Sequence, residues 1–366
     1  DIIAEWVSEN ERARNTIRRC FEHSAVVHAK VIKGKEIEGD KYRDYFEWSE
    51  PLRRCASHKI LAVRRGENEG ILRVSITPDD DTAIERLQQI FIKGSGETSN
   101  LVDKAIKIHS LSRTAAAALG RTLIVGAYMG TELKDDKQKL SITINGGGPL
   151  GRIVVLSDYG AKVRGYVENP AVELPLNGKG KLDVGGGVGK NGYISVIKDL
   201  GLKEPYSGRC PIVDGEIAND FAYYFTVSEQ QPSAVALGVL AADNECVSAG
   251  GIFVSALPGA DDNAITVMED ILTNFTRVSD LFKEMTPEDI IDRYFSHFDI
   301  FYLPDVYPTY ECTCNRARLE QVVVSLGRDE AYDILRENGK LELTCQFCNK
   351  KYVFTKNDVD TLFSKA

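Results

Sequence analysis

Four cysteines near the C-terminus are the residues whose types and spacing could most readily do chemistry. They run Cys312-x-Cys314 and then, after 30 intervening residues, Cys345-x-x-Cys348. Two close thiol pairs across a short unit are the spacing of a four-thiolate zinc site, because soft thiolates suit that ion tetrahedrally. Residues 312–366 are too few to bury an adequate core unaided. A bound metal would supply much of the folding energy, on the order of 10–16 kcal/mol in small zinc peptides. One reading is therefore a purely structural zinc ribbon. The single-residue gap in "YECTCNRARLE" opens a second. A disulfide across one residue closes a small, strained ring, and strained disulfides are easily reduced. Zinc keeps its sulfurs as thiolates, the form that oxidants attack. Oxidation would pair the sulfurs, eject the metal and remove the energy that holds the unit folded.

Other signals are weaker. The five histidines (His23, His28, His58, His109, His297) form no set with carboxylates at metal spacing, and four thiolates leave no place for His297 as an extra ligand. Cys20, Cys55, Cys210 and Cys246 are scattered and read as small apolar residues, with Cys55 beside Arg53 and Arg54 open to mild activation. "VGGGVGKNG" fails as a phosphate loop: Val184 stands where the first glycine is needed, and Asn191 follows Lys190 in place of Ser or Thr. It reads as a strand-connecting turn, as does "NGGGPLG". No Ser-His-Asp or Cys-His arrangement is legible, which disfavours an enzyme.

The elements that must position the cysteines follow from pattern. The net charge of −9 lies wholly beyond residue 107, since acids and bases balance before it. An acidic chain lacks the basic footprint of a nucleic-acid binder, so nucleic acid is not an expected partner. No apolar run approaches the ~18 residues of a membrane span, so no membrane partner is expected. Eight cysteines in 366 residues fit a reducing cytoplasm with one dedicated thiol site. The chain opens on Asp1 and reads as a fragment, an engineered piece or a processed product. Helices are expected over "DIIAEWVSENERARNTIRRCFE", "PDDDTAIERLQQIFI", the Ala-rich "SRTAAAALGRTLIVGAYMG" and residues 261–295, with Thr286 as N-cap and Pro287 at the first helical position. "HKILAVRRG" and "GILRVSI", joined by "GENEG", read as a hairpin. Gly-punctuated strands are expected over "KLSITINGGGPLGRIVVLSDYGAKVRGYVENP", "GYISVIKDLG", "DFAYYFTVSE" and "AGGIFVSALPG".

From about residue 108 to 366 the chain resembles the heat-shock protein 33 family of redox-regulated holdase chaperones. The resemblance rests on "ALGRTL", "GGGPLGRIV", "VRGYVENP", "GKLDVGGGVGKNGYISVIKDLGL", "PIVDGEIANDFAYYF", "SEQQPSAVALGVL" and "CQFCNKKYVFT". It implies that Cys312, Cys314, Cys345 and Cys348 bind one zinc in the reduced, inactive state. On oxidation, disulfides Cys312–Cys314 and Cys345–Cys348 would form and the zinc unit and preceding linker would unfold. Unfolded client proteins would then be held without ATP, by a homodimer. Residues 259–311 would be that linker. Its aromatic run, "RYFSHFDIFYLPDVYPTYE", reads either as ordinary core or as a metastable cover whose exposure offers clients Tyr294, Phe295, Phe298, Phe301 and Tyr302.

Residues 1–107 instead resemble an internal segment of the transcription accessory protein Tex, through "DIIAEWVSENERARNTIRR", "KYRDYFEWSEPLRR", "SHKILAVRRGENEGILRVSI" and "ETSNLVDKAIK". "ETSNLVDKAIKIHSLS" suits either family, so the join falls within 97–108 of a fusion or chimera. The strand hairpin that usually opens the chaperones is missing, which would leave a sheet edge unpaired. Arg113 stands where those chaperones usually place proline. The expected class is α+β. Residues 1–96 form a helical segment with a hairpin. Residues 97–258 form a mostly antiparallel sheet domain with packed helices, 259–311 a helical linker, and 312–366 a small four-cysteine zinc domain.

Overall fold

The computed structural model describes residues 11–80, 82–84, 96–242, 244–257, 259–260, 262–275 and 277–365. The chain forms two compact units, Asp1–Ser95 and Gly96–Ala366. Of the helix expected over "PDDDTAIERLQQIFI", residues 78–80 and 82–84 are described, with 82–84 helical, and the rest lies outside the described residues, as do the first ten residues of the N-terminal helix.

In the first unit, α1 (Glu11–Ser24) leads into β1 (Val26–Val31), the centre of a three-stranded antiparallel sheet. Its neighbours are β2 (Glu47–Pro51) and β3 (Leu72–Thr77). The hairpin expected over residues 58–77 does not form. "SHKILAVRRGEN" is α2 (Ser57–Asn68), and only "LRVSIT" is a strand. The buried positions of α2, Val63 and Gly66, are one helical step apart, so the run buries one stripe as a helix does. Gly70, at φ +71°, then turns the chain into β3, which pairs with β1.

In the second unit, α3 (Glu97–His109) precedes α4 (Arg113–Thr131), whose N-cap Ser112 accepts from the Ala115 amide at 3.1 Å. Nearly every residue of α4 is buried, because its small side chains admit neighbours closely on all sides. One neighbour is a six-stranded sheet in the order β11-β6-β5-β4-β7-β8. Its strands are β4 (Lys139–Asn145), β5 (Ile153–Asp158), β6 (Lys162–Val167), β7 (Tyr193–Asp199), β8 (Tyr206–Pro211) and the two-residue β11 (Thr309–Tyr310). All pairings are antiparallel except β11 on β6. Alternation along β4 turns Leu140, Ile142 and Ile144 to the core.

Two sequence expectations change here. "VGGGVGKNG" is more than a turn: α5 (Val184–Val188) forms, with the Asp183 carboxylate accepting from the Gly186 amide. It locks against "NGGGPLG" through Gly148 N–H to Val188 O (2.9 Å) and Leu150 N–H to Gly187 O (3.0 Å). The second change concerns "DFAYYFTVSE", expected as a strand, which lies in α6 (Ile217–Val227). Ile217, Phe221, Tyr224 and Phe225 are buried at helical spacing, and that burial overrides the β preference of the aromatics.

The second sheet is a ribbon of β9 (Ser233–Ala242) and β10 (Glu245–Ser255). Only these two strands pair in it among the described residues. Part of the β10 edge is nonetheless satisfied by α3. Asp103 accepts from Cys246 N–H, Ser99 accepts from Ala249 N–H, and Thr98 donates to Ala249 O. Leu237, Val239 and Ala249 face the main core. Ala236, Ile252 and Val254 face the opposite way, onto α7 (Asp262–Leu272), α8 (Val278–Glu284) and α9 (Pro287–Tyr294). The helix expectation for 261–295 holds as these three helices, and Thr286 and Pro287 take their expected places in a capping box closed by Asp289.

Helix α8 seats on a glycine pair. Gly238 and Gly250 are register partners, and a Cβ on Gly238 would lie 2.2 Å from Ser279 N, one on Gly250 2.3 Å from the Phe282 ring. The module 312–365 then follows as α10 (Arg316–Leu326), α11 (Arg328–Asn338), the hairpin β12 (Leu341–Thr344) and β13 (Lys351–Phe354), and α12 (Lys356–Lys365). No described helix is long and apolar enough to cross a membrane.

Gly238→Ala is expected to cost about 1–3 kcal/mol of local stability, the usual range for overpacking. The loss should appear as faster amide exchange across residues 278–295. Gly178→Ala, whose added carbon meets nothing within 4 Å, should leave exchange unchanged.

Candidate metal centre

The four cysteines expected to act together do come together. Cys312 and Cys314 lie on the segment between β11 and α10, where Asn315 N-caps the helix by accepting from Arg318 N–H at 2.9 Å. Cys345 and Cys348 lie on the turn of the β12–β13 hairpin, whose register closes at Thr344 and Lys351. Two backbone bonds tighten that knuckle, Cys345 N–H to Lys350 O and Asn349 N–H to Cys345 O, and Asn349 takes the left-handed φ of +56°. All four Sγ atoms lie within 4.8 Å of one another, a group that could hold a metal ion. The close approaches run between motifs: Cys312 to Cys345 at 3.7 Å and Cys314 to Cys348 at 3.4 Å.

Sequence reasoning missed Tyr352, whose hydroxyl lies 3.2 Å from Cys314 Sγ. It follows the knuckle in "CNKKYVF", and its alternation with Phe354 as an inward residue of β13 was the available signal. As free thiols the pair diverges. Burial pushes Cys314 up, but hydrogen bonds from Tyr352 and the neighbouring thiols outweigh it and draw the group down to about 7. Burial, aided by its bond to Cys314, pushes Cys348 up. The scattered cysteines behave otherwise: burial drives Cys210 up to about 11 and Cys246 to about 12. Cys55 is also pushed up, by burial and by Glu50, so the neighbouring arginines do not activate it. His297 is exposed and outside the sulfur group.

Support for the centre is thin on its own side. The module core is Val323, Ala331, Leu335, Leu341, Tyr352, Phe354 and Val359, with Cys314 packed against it. A groove of about 830 Å³ opens beside three of the sulfurs, floored by Leu156, Ile197 and Leu202. Small solutes can therefore reach the thiols from solvent.

The aromatic run of 294–310 divides into three. Tyr294, Phe295 and Phe298 belong to the cluster over the β9–β10 ribbon, with Phe295 stacked on Phe275 at 5.9 Å and Tyr294 edge-on to it at 5.2 Å. Phe301 and Tyr302 do not join it; Phe301 is 89% exposed and Tyr302 45%. Tyr310 is buried in the main core. Phe275 and Phe282, which complete the cluster, carried no distinguishing signal in the sequence.

Comparison with known proteins gives two family matches. Residues 95–355 match Hsp33 protein, and residues 1–127 match the Tex central region-like family, so the two overlap over 95–127. A 33 kDa chaperonin of Clostridium botulinum (strain Eklund 17B / Type B) is 46% identical over 273 residues, spanning 74% of this chain and 92% of that protein. The 33 kDa chaperonin of Caldanaerobacter subterraneus subsp. tengcongensis is 44% identical over 271 residues, with the same shares. The crystal structure of the heat shock protein 33 homologue from Thermotoga maritima superposes with a TM-score of 0.69 at 38% identity, over 73% of this chain and 91% of that one. The relatives are chaperones by name, their match takes in the sheet domain and the four-cysteine module alike, and the chain belongs to the Hsp33 family.

Proposed function

We propose that the chain is a redox-regulated, ATP-independent holdase whose cysteines bind one zinc ion while reduced. The observation that carries the reading is the placement of four sulfurs at tetrahedral spacing in a module with little core of its own. Sulfurs about 2.3 Å from a central zinc lie about 3.8 Å apart, close to the 3.7 Å and 3.4 Å separations of the cross-motif pairs. Bound there, the ion would offset two of the four thiolate charges and would crosslink the 312–314 segment to the 345–348 knuckle.

Oxidation would proceed within each motif, giving Cys312–Cys314 and Cys345–Cys348. Each disulfide releases two electrons, which a peroxide takes up with two protons to become two waters. With its sulfurs consumed the metal leaves, and the seven-residue module core is too small to replace it. The linker 259–311 then opens. Its departure would uncover Ala236, Ile252 and Val254 on the ribbon together with Tyr294, Phe295 and Phe298, an apolar patch for unfolding chains. Phe301 and Tyr302, exposed from the start, offer an initial foothold. The partners are unfolded proteins of the cytoplasm, the oxidised state is a homodimer, and no catalysis is assigned. The Tex-like unit is an added segment, and no nucleic-acid role is extended to it.

Metal analysis should find one zinc per chain, lost together with four thiols under mild peroxide, and suppression of client aggregation should appear only afterwards. Equal suppression with all four thiols intact would falsify the switch. Cys314→Ser and Cys345→Ser should each weaken zinc binding by more than tenfold and open residues 278–295 to exchange without oxidant. Cys246→Ser should do neither.

A further inference from the structure

We propose that Tyr310 is a positioning residue: its hydroxyl clasps the metal knuckle to the sheet domain and sets how readily oxidant releases the metal. The inference rests on the zinc-switch reading above and adds a residue to it.

Tyr310 stands two positions before the first ligand, Cys312. Its backbone is pinned to the sheet edge: Thr309 N–H donates to Ala161 O (3.1 Å) and Glu311 N–H to Val163 O (2.9 Å). Lys104 of α3 donates to the Tyr310 carbonyl at 2.9 Å. The side chain runs inward and is 5% exposed, the one member of the main core cluster among the described residues of 259–311. At its tip the hydroxyl reaches three groups from three parts of the unit. These are Gly165 O of β6 at 2.9 Å, His109 Nε2 at the end of α3 at 3.1 Å, and Phe347 O.

Phe347 lies between Cys345 and Cys348, so the third contact reports on the knuckle itself. A phenol has one proton to donate and lone pairs to accept. It can donate to Phe347 O or to Gly165 O and accept from the imidazole N–H when Nε2 carries the proton. If the knuckle departs, the proton still has Gly165 O, so the tyrosine is not left unsatisfied and the bond can be given up cheaply. That is the property required of a clasp that must let go. Around it the Phe347 ring sits edge-on to Tyr166 at 5.3 Å, and Asn349 donates to Ile108 O.

These contacts place the metal loop against α3 and β6, the side from which Cys312 arrives. The Cys345–Cys348 knuckle can leave this seat only by breaking these contacts. The clasp therefore acts before the sulfurs separate, and its strength enters the rate of metal release.

The test is Tyr310→Phe, which keeps the ring and removes the hydroxyl. In the reduced, zinc-loaded full chain, amide exchange of residues 345–350 should rise about two- to tenfold, the worth of one hydrogen bond. Zinc release at fixed peroxide, followed with a chromogenic chelator, should quicken by a similar factor. Zinc stoichiometry and the melting midpoint of the sheet domain should not move. Wild-type exchange and release rates in the variant would overturn the proposal, as would faster exchange with unaltered release. A chain that binds no zinc fails the switch reading instead, and the exchange measurement still reports whether the clasp exists. Phe347→Ala separates ring from carbonyl: it should loosen the knuckle further in a Tyr310→Phe background, not merely repeat its effect.

Discussion

Four sulfurs gathered within 4.8 Å are the constraint on which the rest of the second unit depends. Four thiolates that close would repel one another strongly, and four thiols would leave the module to its own few buried residues. A group so placed could hold a metal ion, which would make the arrangement both compact and rigid. The sheet domain is different in kind. Its core runs continuously from α3 through α4 to both sheets. The unit thus joins a part stabilised by burial to a part with few buried residues and four clustered sulfurs, with residues 259–311 between. Burial depends little on redox conditions, whereas coordination by thiolates depends on them entirely. On the proposed function, a change in oxidant would reach one part and spare the other.

Much of this was legible in the sequence, for reasons that differ by element. The cysteine cluster could be read because metal ligation fixes residue type and spacing together, and the geometry agrees. The capping box at Thr286 and the small-residue helix α4 were local and equally clear. The misreadings were also local, made where composition favoured strands and burial chose a helix. Val63 and Gly66 bury one stripe of α2, and Phe221, Tyr224 and Phe225 bury one face of α6. Neither stripe shows as such in a run rich in β-formers. What could not be read were contacts between distant segments. Tyr352 beside Cys314, Tyr310 beneath Phe347, and the Gly238–Gly250 seat each depend on strand register or on packing that closes only in the folded unit.

The N-terminal unit shows the limits of resemblance from another side. Its strands form a sheet of their own, with β1 central, in place of the expected hairpin. The two family matches share residues 95–127, and both similarities pass through α3. A helix acceptable to two families is a natural place for two segments to meet, since its pattern violates neither. In this chain α3 also supplies the side chains that bond the β10 edge.

The ribbon of β9 and β10 has a wider consequence. Its alternate residues face two ways: one set lies in the main core, the other packs under the helices of residues 262–294. Because the two sets alternate along the same backbone, an inserted or deleted residue would exchange them, sending interior groups outward and surface groups inward. The stretch is therefore intolerant of changes in length, while single replacements on the covered side remain open. Change on the covered face must proceed by substitution at every second position, on a frame whose register cannot drift.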